Sequence, residues 1–176
     1  MKRVLMVVAP EGFRDEELFV PKDFLESKGV KVDIASTGKG TCTGMLGGKV
    51  EAGLALGDAD AGIYDAVMYV GGPGTPLIRK EDAAIRLARE ALKKGKVVAA
   101  ICWAPTILAK AGVLNGKKAT VWQGTDGEYG KSTKDVIEGF GARHVDSGVV
   151  TDGSVVTADG PKSALEYARE VLELIS

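Results

Sequence analysis

The cysteine at position 102 has a sequence context that could make its thiol a nucleophile. The apolar run VVAAI (97–101) leads directly into Cys102, and WAP follows before a helical pattern. A nucleophile elbow consists of a strand, a tight turn that carries the nucleophile and a helix, with small residues two positions before and after the nucleophile. Ala100 and Ala104 occupy those positions. We therefore expect a reactive thiol, with a buried cysteine that only packs as the alternative.

Two further features indicate how this thiol could act. A helix that begins near Trp103 or Ala104 would direct the positive end of its dipole at the sulfur and favour the thiolate. The segment GGPGT (71–75) follows another apolar run. It could present main-chain N–H groups to the same point, because glycine permits close approach. The N–H groups of Gly72 and Trp103 would then hold an oxyanion, although a plain turn at a strand end also explains the glycines.

The elements that must position these residues alternate between strand and helix. The patterns predict strands at 2–9, 30–36, 64–72, 96–101 and 117–122, and helices at 15–29, 81–95, 104–114, 131–141 and 160–176. Residues 37–60 predict a small hairpin or arm, and 148–158 a hairpin with Asp152 and Gly153 in its turn. This order predicts an α/β fold with a mostly parallel sheet covered by helices on both faces. In such sheets, sites lie at the carboxyl ends of the strands.

The composition is that of an ordinary globular protein and predicts one domain over residues 1–176. Hydrophobic residues make up 45% and charged residues 27%, and the net charge is −1. This balance gives no reason to expect nucleic acid or an anionic membrane as partner, and no apolar run approaches the ~18 residues of a membrane span. With two cysteines and a single histidine, we expect a cytoplasmic protein with no disulfide framework, metal site or cofactor.

Four segments together resemble the PfpI/DJ-1 superfamily from the first strand to the last helix: AICWAP, GGPG, EELFVPKDFLESKGVKVDIAS and VVTDGSVVTADGPKSALEYA. The resemblance implies a single-domain, flavodoxin-like three-layer sandwich of the class I glutamine amidotransferase-like group, and a homodimer or larger homo-oligomer. It also implies that Cys102 is the elbow cysteine and that Glu17 is the carboxyl that hydrogen-bonds it. Because a carboxylate beside a thiolate is repelled, we expect Glu17 to be protonated near neutral pH and to donate to the sulfur.

The chain departs from the superfamily pattern where relatives carry partners of the cysteine. Peptidase-like members have a histidine directly after the cysteine, where this chain has Trp103, and a glutamate where it has Pro76. Deglycase-like members have a histidine at the position of Trp122. The sole histidine, His144, is expected away from the active edge of the sheet. Trp122 is expected to wall a pocket, whereas for Trp103 core filling is an equal alternative.

Three other residues have chemistry that could matter. Asp126 and Glu128 lie in WQGTDGEYG (122–130) and could replace the missing histidine in acid–base work, but they are more typical of loop acids. Cys42 lies in the Gly/Thr-rich arm and is expected to be a packing residue.

These observations favour a cysteine-dependent enzyme of the glyoxalase or deglycase type. Its substrate would be a reactive carbonyl compound, such as an α-oxoaldehyde, or a glycated protein. Glu17 would move the proton, and Gly71 and Trp122 would line the pocket. One alternative is a redox-sensing or chaperone-like protein in which Cys102 oxidises to sulfinate beside Glu17. The other is an intracellular peptidase of the PfpI type, which the missing histidine disfavours because amide cleavage requires protonation of the leaving group.

Overall fold

The computed structural model describes all 176 residues. Its strands are β1 (Arg3–Val7), β2 (Glu11–Phe13), β3 (Lys31–Ser36), β4 (Gly40–Gly44), β5 (Lys49–Ala52), β6 (Leu54–Ala55), β7 (Ala66–Tyr69), β8 (Val97–Ile101), β9 (Lys118–Ala119), β10 (Thr125–Asp126), β11 (Lys131–Ser132), β12 (Arg143–His144), β13 (Val149–Asp152) and β14 (Val155–Ala158). Its α-helices are α1 (Asp15–Ser27), α2 (Thr75–Arg79), α3 (Asp82–Lys93), α4 (Pro105–Lys110), α5 (Thr133–Gly139) and α6 (Ala164–Ile175). Short 3₁₀ turns occur at Leu56–Asp58, Ala61–Ile63 and Pro161–Ser163.

Seven strands form the central sheet in the order β13-β14-β8-β7-β1-β3-β6. All neighbouring pairs are parallel except β13 and β14, which form the predicted hairpin. The α/β class and the mostly parallel sheet are therefore confirmed. The register pairs Val7 with Tyr69 and Tyr69 with Ala100. Strands β1, β7 and β8 thus end at one level, and the turns that follow them lie side by side.

Helices cover both faces of this sheet because successive side chains of each buried strand point to opposite sides. Leu5 of β1 belongs to the core that includes residues of α3, α4 and α5. Met6, its neighbour, belongs to the core that includes residues of α1 and α6. The three layers thus follow from strands that are apolar on both faces, as parallel sheets require. None of the helices combines the length and hydropathy needed to span a bilayer.

The strand predicted at 117–122 is confirmed only at Lys118–Ala119, and the rest of the prediction is wrong. Only Lys118–Ala119 is extended and paired, and it pairs with β12 in a separate two-stranded sheet. The main-chain N–H of Thr120 donates to the Thr157 hydroxyl at 3.0 Å, and that of Trp122 donates to the Cys102 carbonyl at 2.7 Å. These partners replace a strand ladder, so the segment runs past the end of the main sheet and reaches the elbow.

Several helices also differ from the prediction. The helix predicted at 104–114 ends at Lys110, and the one predicted at 131–141 spans Thr133–Gly139. The glycine-rich segment after β7 continues into the unpredicted helix α2, with Pro76 in its first turn, where the missing N–H costs nothing. The last helix begins at Ala164, and Pro161 lies in the preceding 3₁₀ turn. The new helix α2 and the late start of α6 both occur next to prolines and glycines. These residues indicate that an element begins or ends nearby, but not whether the helix lies before or after them.

The arm predicted at 37–60 is a hairpin of β4 and β5, with β2 pairing alongside β4. The carboxylate of Asp15, in the first turn of α1, accepts the main-chain N–H groups of Leu46 at 2.9 Å and Gly48 at 2.7 Å. These bonds fix the hairpin turn beside α1 and place Met45 near the end of β8. Cys42 is buried in β4, as expected of a packing residue.

Candidate active site

Cys102 lies in the turn between β8 and α4 with a backbone φ of 64°, and it is the only non-glycine residue with positive φ. This conformation costs about 1–3 kcal/mol and persists only where the surroundings enforce it. The Cys102 N–H donates to the Ala158 carbonyl at 2.8 Å, and its own carbonyl accepts the N–H of Trp122. The strained turn is therefore held from β14 on one side and from the segment after β9 on the other.

The main-chain N–H groups of Gly72 and Trp103 lie close enough to the Cys102 sulfur to act on its pKa, each lowering it. Gly72 has a φ of 104°, and a Cβ atom there would collide with the main chain of Gly12 and Arg14. Only glycine can therefore bring this N–H to the sulfur. The N–H groups of Gly72 and Trp103 therefore both lie in the immediate surroundings of the thiol.

The Glu17 carboxyl is fully buried next to the thiol. A Cβ atom on Gly71 would lie 2.9 Å from Glu17 Oε1 and 2.8 Å from the Cys102 Cβ, so the absence of a side chain at Gly71 leaves room for the carboxyl and the thiol next to each other. Neither carboxyl oxygen makes a hydrogen bond of normal geometry. Burial raises the pKa of Glu17 to about 8, and the nearby thiol, Arg14 and Gly71 N–H offset this rise only in part. Glu17 is therefore mostly protonated at neutral pH.

Burial, followed by the adjacent Glu17, raises the pKa of the Cys102 thiol above its usual range. The N–H groups of Gly72 and Trp103 act in the opposite direction but do not outweigh the burial. The main-chain N–H groups at the elbow thus favour the thiolate, as expected of a helix start, but burial outweighs them and the thiol is the predominant form. Helix α4 begins only at Pro105 and has six residues, while the cysteine is 8% exposed. The two buried acids instead form a coupled pair that holds its protons at neutral pH.

A cavity of about 280 Å³ opens in front of the sulfur. Its walls are mostly apolar, and one charged residue, Arg14, contributes to them. The other lining residues are Met45, Gly72, Pro73, Cys102, Trp103, Trp122 and Pro161. A larger depression of about 590 Å³ lies elsewhere, around Arg3, Asp33 and Tyr64. That depression contains neither a cysteine nor Glu17, so the smaller cavity is the candidate active site.

Trp103 and Trp122 form one wall of this cavity, with ring centroids 5.5 Å apart and planes tilted by 47°. Trp122 is 37% exposed. Gly124 makes this packing possible, because a Cβ atom at that position would overlap the Trp122 ring. The Trp103 indole N–H donates to Asp126 Oδ2 at 2.8 Å. Trp103 therefore belongs to the cavity wall, and Asp126 holds its ring in place through this hydrogen bond.

Asp126 forms an ion pair with Arg79 of α2, and both residues are fully buried. The guanidinium donates to the two carboxylate oxygens at 2.5 and 3.1 Å, and also to Thr106 at 2.9 Å and Glu128 at 2.9 Å. Although burial alone would raise the pKa of Asp126, the bonds from Arg79 and Trp103 lower it. Asp126 is thus a permanent carboxylate that holds the cavity wall in place.

The structure brings the six predicted site residues together: Glu17, Gly71, Gly72, Cys102, Trp103 and Trp122 surround one cavity or lie directly beneath it. Asp126 and Glu128 are partners of Arg79 and do not line the cavity. His144 lies in β12, paired with Ala119, and is not among the lining residues. Pro76 is part of α2.

Two residues at the candidate site were not predicted from the sequence. Arg79 lies in PLIRK, where an arginine is typical of a surface helix. Its burial follows from a carboxylate 47 residues further along the chain. Arg14 directly precedes the acidic start of α1, and its local sequence alone did not mark it as a residue of the cavity wall. Its position before Glu17, in the turn after the first strand, was the available signal.

A three-layer α/β fold with a strained cysteine after β8 and a buried glutamate on α1 defines a class of elbow-cysteine proteins. The chain belongs to the DJ-1/PfpI family, whose model matches residues 2–174. A protein of Methanocaldococcus jannaschii is 44% identical over 98% of this chain and 82% of its own length. A deglycase of Pyrococcus horikoshii is 35% identical over 98% of this chain and 99% of its own.

The solved structure of a ThiJ/PfpI domain protein from Brachyspira murdochii superimposes with a TM-score of 0.90 at 31% identity, covering 98% of this chain and 95% of that one. A relative from Caenorhabditis elegans, 25% identical over 99% of this chain and 89% of its own, is named a glutathione-independent glyoxalase. The names of these relatives support an activity of the DJ-1/PfpI type.

Proposed function

We propose that this protein is a cysteine-dependent enzyme that converts reactive carbonyl compounds, of the glyoxalase or deglycase type. The observation that carries the proposal is the arrangement around Cys102. A strained, buried thiol faces two main-chain N–H groups and lies beside a buried carboxyl whose pKa of about 8 is close to physiological pH. An acid–base group is most effective when its pKa lies near the working pH.

Glu17 takes the role of the missing histidine in this proposal. With a pKa of about 8, roughly one molecule in ten carries the carboxylate at pH 7. That carboxylate accepts the thiol proton while the sulfur adds to the aldehyde carbon, and the N–H groups of Gly72 and Trp103 bind the developing oxyanion. The proton then passes from Glu17 to this oxygen, which gives a hemithioacetal.

The later steps balance without any added oxidant. Glu17 removes the proton from the former aldehyde carbon and returns it to the adjacent carbonyl carbon. The hydroxyl proton of the hemithioacetal passes to the oxygen of that adjacent carbon, which leaves a 2-hydroxy thioester on Cys102. Water cleaves the thioester, releasing a 2-hydroxy acid and the thiol. The aldehyde carbon is oxidised and its neighbour reduced, so the sum is one α-oxoaldehyde plus one water giving one 2-hydroxy acid.

The test measures the loss of methylglyoxal together with the appearance of lactate. Wild type should catalyse both, and Cys102→Ala and Glu17→Gln should lower kcat/KM by about 100-fold or more. Cys42→Ala is the matched control, because it removes the other buried thiol. Equal loss of methylglyoxal with wild type and all three variants would refute the proposal.

A redox sensor is the second candidate, favoured by the same buried carboxyl beside the thiol. A protonated Glu17 would donate to an oxygen of a sulfinate formed at Cys102. Mild peroxide should then add two oxygens at Cys102 before Cys42 reacts, as read by mass spectrometry of the intact protein and its peptides. Oxidation of Cys42 first would exclude this role. The peptidase alternative has no support at the site, because His144 lies in β12 and not in the cavity.

A further inference from the structure

Arg14 is the one charged side chain in the cavity wall, and its guanidinium is only partly used. Nε and Nη2 donate to Glu16 Oε2 at 3.0 and 2.8 Å. The partner of Nη1 is the Met45 sulfur at 3.8 Å, and a thioether is a weak acceptor. One edge of the guanidinium is therefore fixed by a carboxylate, while Nη1 has donors without a strong acceptor.

The main chain fixes where this side chain begins. The Arg14 N–H donates to the Gly71 carbonyl at 2.9 Å, so Arg14 starts beside the segment that supplies the Gly72 N–H. Both Arg14 and Cys102 line the cavity of about 280 Å³. A small substrate bound to the sulfur is therefore in a space that one guanidinium also borders.

The charges around the cavity favour an anion at this position. Hydrogen bonding to Glu16 raises the pKa of Arg14, which is charged throughout the physiological range. Glu17 is mostly neutral at pH 7, since its pKa is about 8. The side chains facing the remaining cavity wall are Met45, Pro73, Trp103, Trp122 and Pro161, which carry no charge. An anionic substrate therefore meets the Arg14 guanidinium, which is already paired with Glu16 along one edge, and no other charged side chain at the lining surface.

We propose that Arg14 selects α-oxoaldehydes that carry a carboxylate at the end remote from the aldehyde. Arginine forms directional, charge-assisted hydrogen bonds with carboxylates, and the bond to Glu16 already orders its side chain. The aldehyde carbon reacts at Cys102 while the remote carboxylate binds the free edge of the guanidinium. This inference rests on the proposed function for its chemistry and adds the class of substrate.

The test compares two five-carbon substrates, 4,5-dioxopentanoate and 2-oxopentanal, which share the reacting group and differ in a terminal carboxylate. The ratio of their kcat/KM values is expected to exceed about 10 in wild type, since a hydrogen bond to a charged group contributes roughly 1.5–3 kcal/mol. Arg14→Gln should bring the ratio close to one, and Arg14→Lys should keep part of it. Arg86→Gln, which changes an exposed arginine of α3, should leave the ratio unchanged. A ratio near one in wild type, or an unchanged ratio in Arg14→Gln, would overturn the proposal.

A binding measurement separates failure of this inference from failure of the proposed enzyme. Cys102→Ser protein is titrated with 4-oxopentanoate and with 2-pentanone, which lack an aldehyde, and tryptophan fluorescence reports occupancy beside Trp103 and Trp122. Tighter binding of 4-oxopentanoate by at least about 10-fold, lost in Cys102→Ser/Arg14→Gln, supports the anion site even if neither aldehyde is turned over. Equal binding of the two compounds contradicts it even if methylglyoxal is consumed.

Discussion

Replacing Glu17 by glutamine should change how the stability of the protein depends on pH. Burial holds the pKa of this carboxyl at about 8 in the folded state, against an ordinary value of 4.5. Between these values the folded state binds a proton that the unfolded state has lost. The contribution of Glu17 to the free energy of unfolding is therefore fully present below about pH 4.5 and falls as pH rises, until Glu17 is ionised in both states above about pH 8.

The size of this effect follows from the two pKa values. At ~1.4 kcal/mol per pKa unit, the loss is about 3 kcal/mol at pH 7 and on the order of 5 kcal/mol above pH 8. Glutamine is close in shape to the protonated carboxyl and cannot ionise. The stability of Glu17→Gln relative to wild type should therefore rise by about 4 kcal/mol between pH 5 and pH 8.5.

Urea denaturation of both proteins at several pH values between about 5 and 8.5 measures the difference. Groups that titrate equally in the two proteins cancel in the comparison. Glu166→Gln, an exposed position on α6, measures the effect of removing any surface carboxylate. A difference between wild type and Glu17→Gln that stays constant within about 0.5 kcal/mol would show that the pKa of Glu17 is not raised in the folded state.

Three further substitutions test the framework of the site. Arg79→Met leaves Asp126 buried without its charged partner and should lower the free energy of unfolding by about 3–5 kcal/mol. The double variant Arg79→Met/Asp126→Leu should regain part of this loss. Equal stability of the single and double variants in denaturation would contradict the prediction. Cys102→Gly should be more stable than Cys102→Ala by about 1 kcal/mol, because glycine adopts positive φ without strain, and a less stable glycine variant would argue against a strained elbow. Gly124→Ala should displace the Trp122 ring and change the tryptophan emission spectrum, and an unchanged spectrum would show that the ring does not need this space.

The sequence was sufficient for the class of fold because the strands that carry the site are short apolar runs between amphipathic helices. It was also sufficient for the elbow, since small residues flank Cys102 at fixed spacing. It failed at 117–122, where an extended, apolar segment looked like a strand. The sequence of this segment does not reveal that its main-chain N–H groups donate to the Thr157 hydroxyl and to the Cys102 carbonyl instead of to a neighbouring strand.

The pKa values at the site were harder to predict from the sequence than the identity of the residues that form it. The helix after Cys102 suggested a thiolate, but the burial of both acids decides the pKa values, and burial is a property of the whole fold. The ion pair between Arg79 and Asp126 could not be predicted from the sequence, because each residue alone is typical of an exposed position and their burial depends on the whole fold. Arg14 was identified as a residue of interest only because the structure shows that it lines the cavity.

The hydrogen bond from the Cys102 N–H to the Ala158 carbonyl has a consequence for the order in which the protein is made. Domains are synthesised from the amino end, so Glu17, Gly72 and Cys102 leave the ribosome well before β14. Until β14 is added beside β8, the elbow lacks one of the two bonds that hold it, and Pro161 is absent from the cavity rim. A chain interrupted before residue 155 would contain all the predicted catalytic groups but neither the Ala158 carbonyl that holds the elbow nor Pro161 of the cavity wall. The cavity around Cys102 is thus completed only in the last stage of translation.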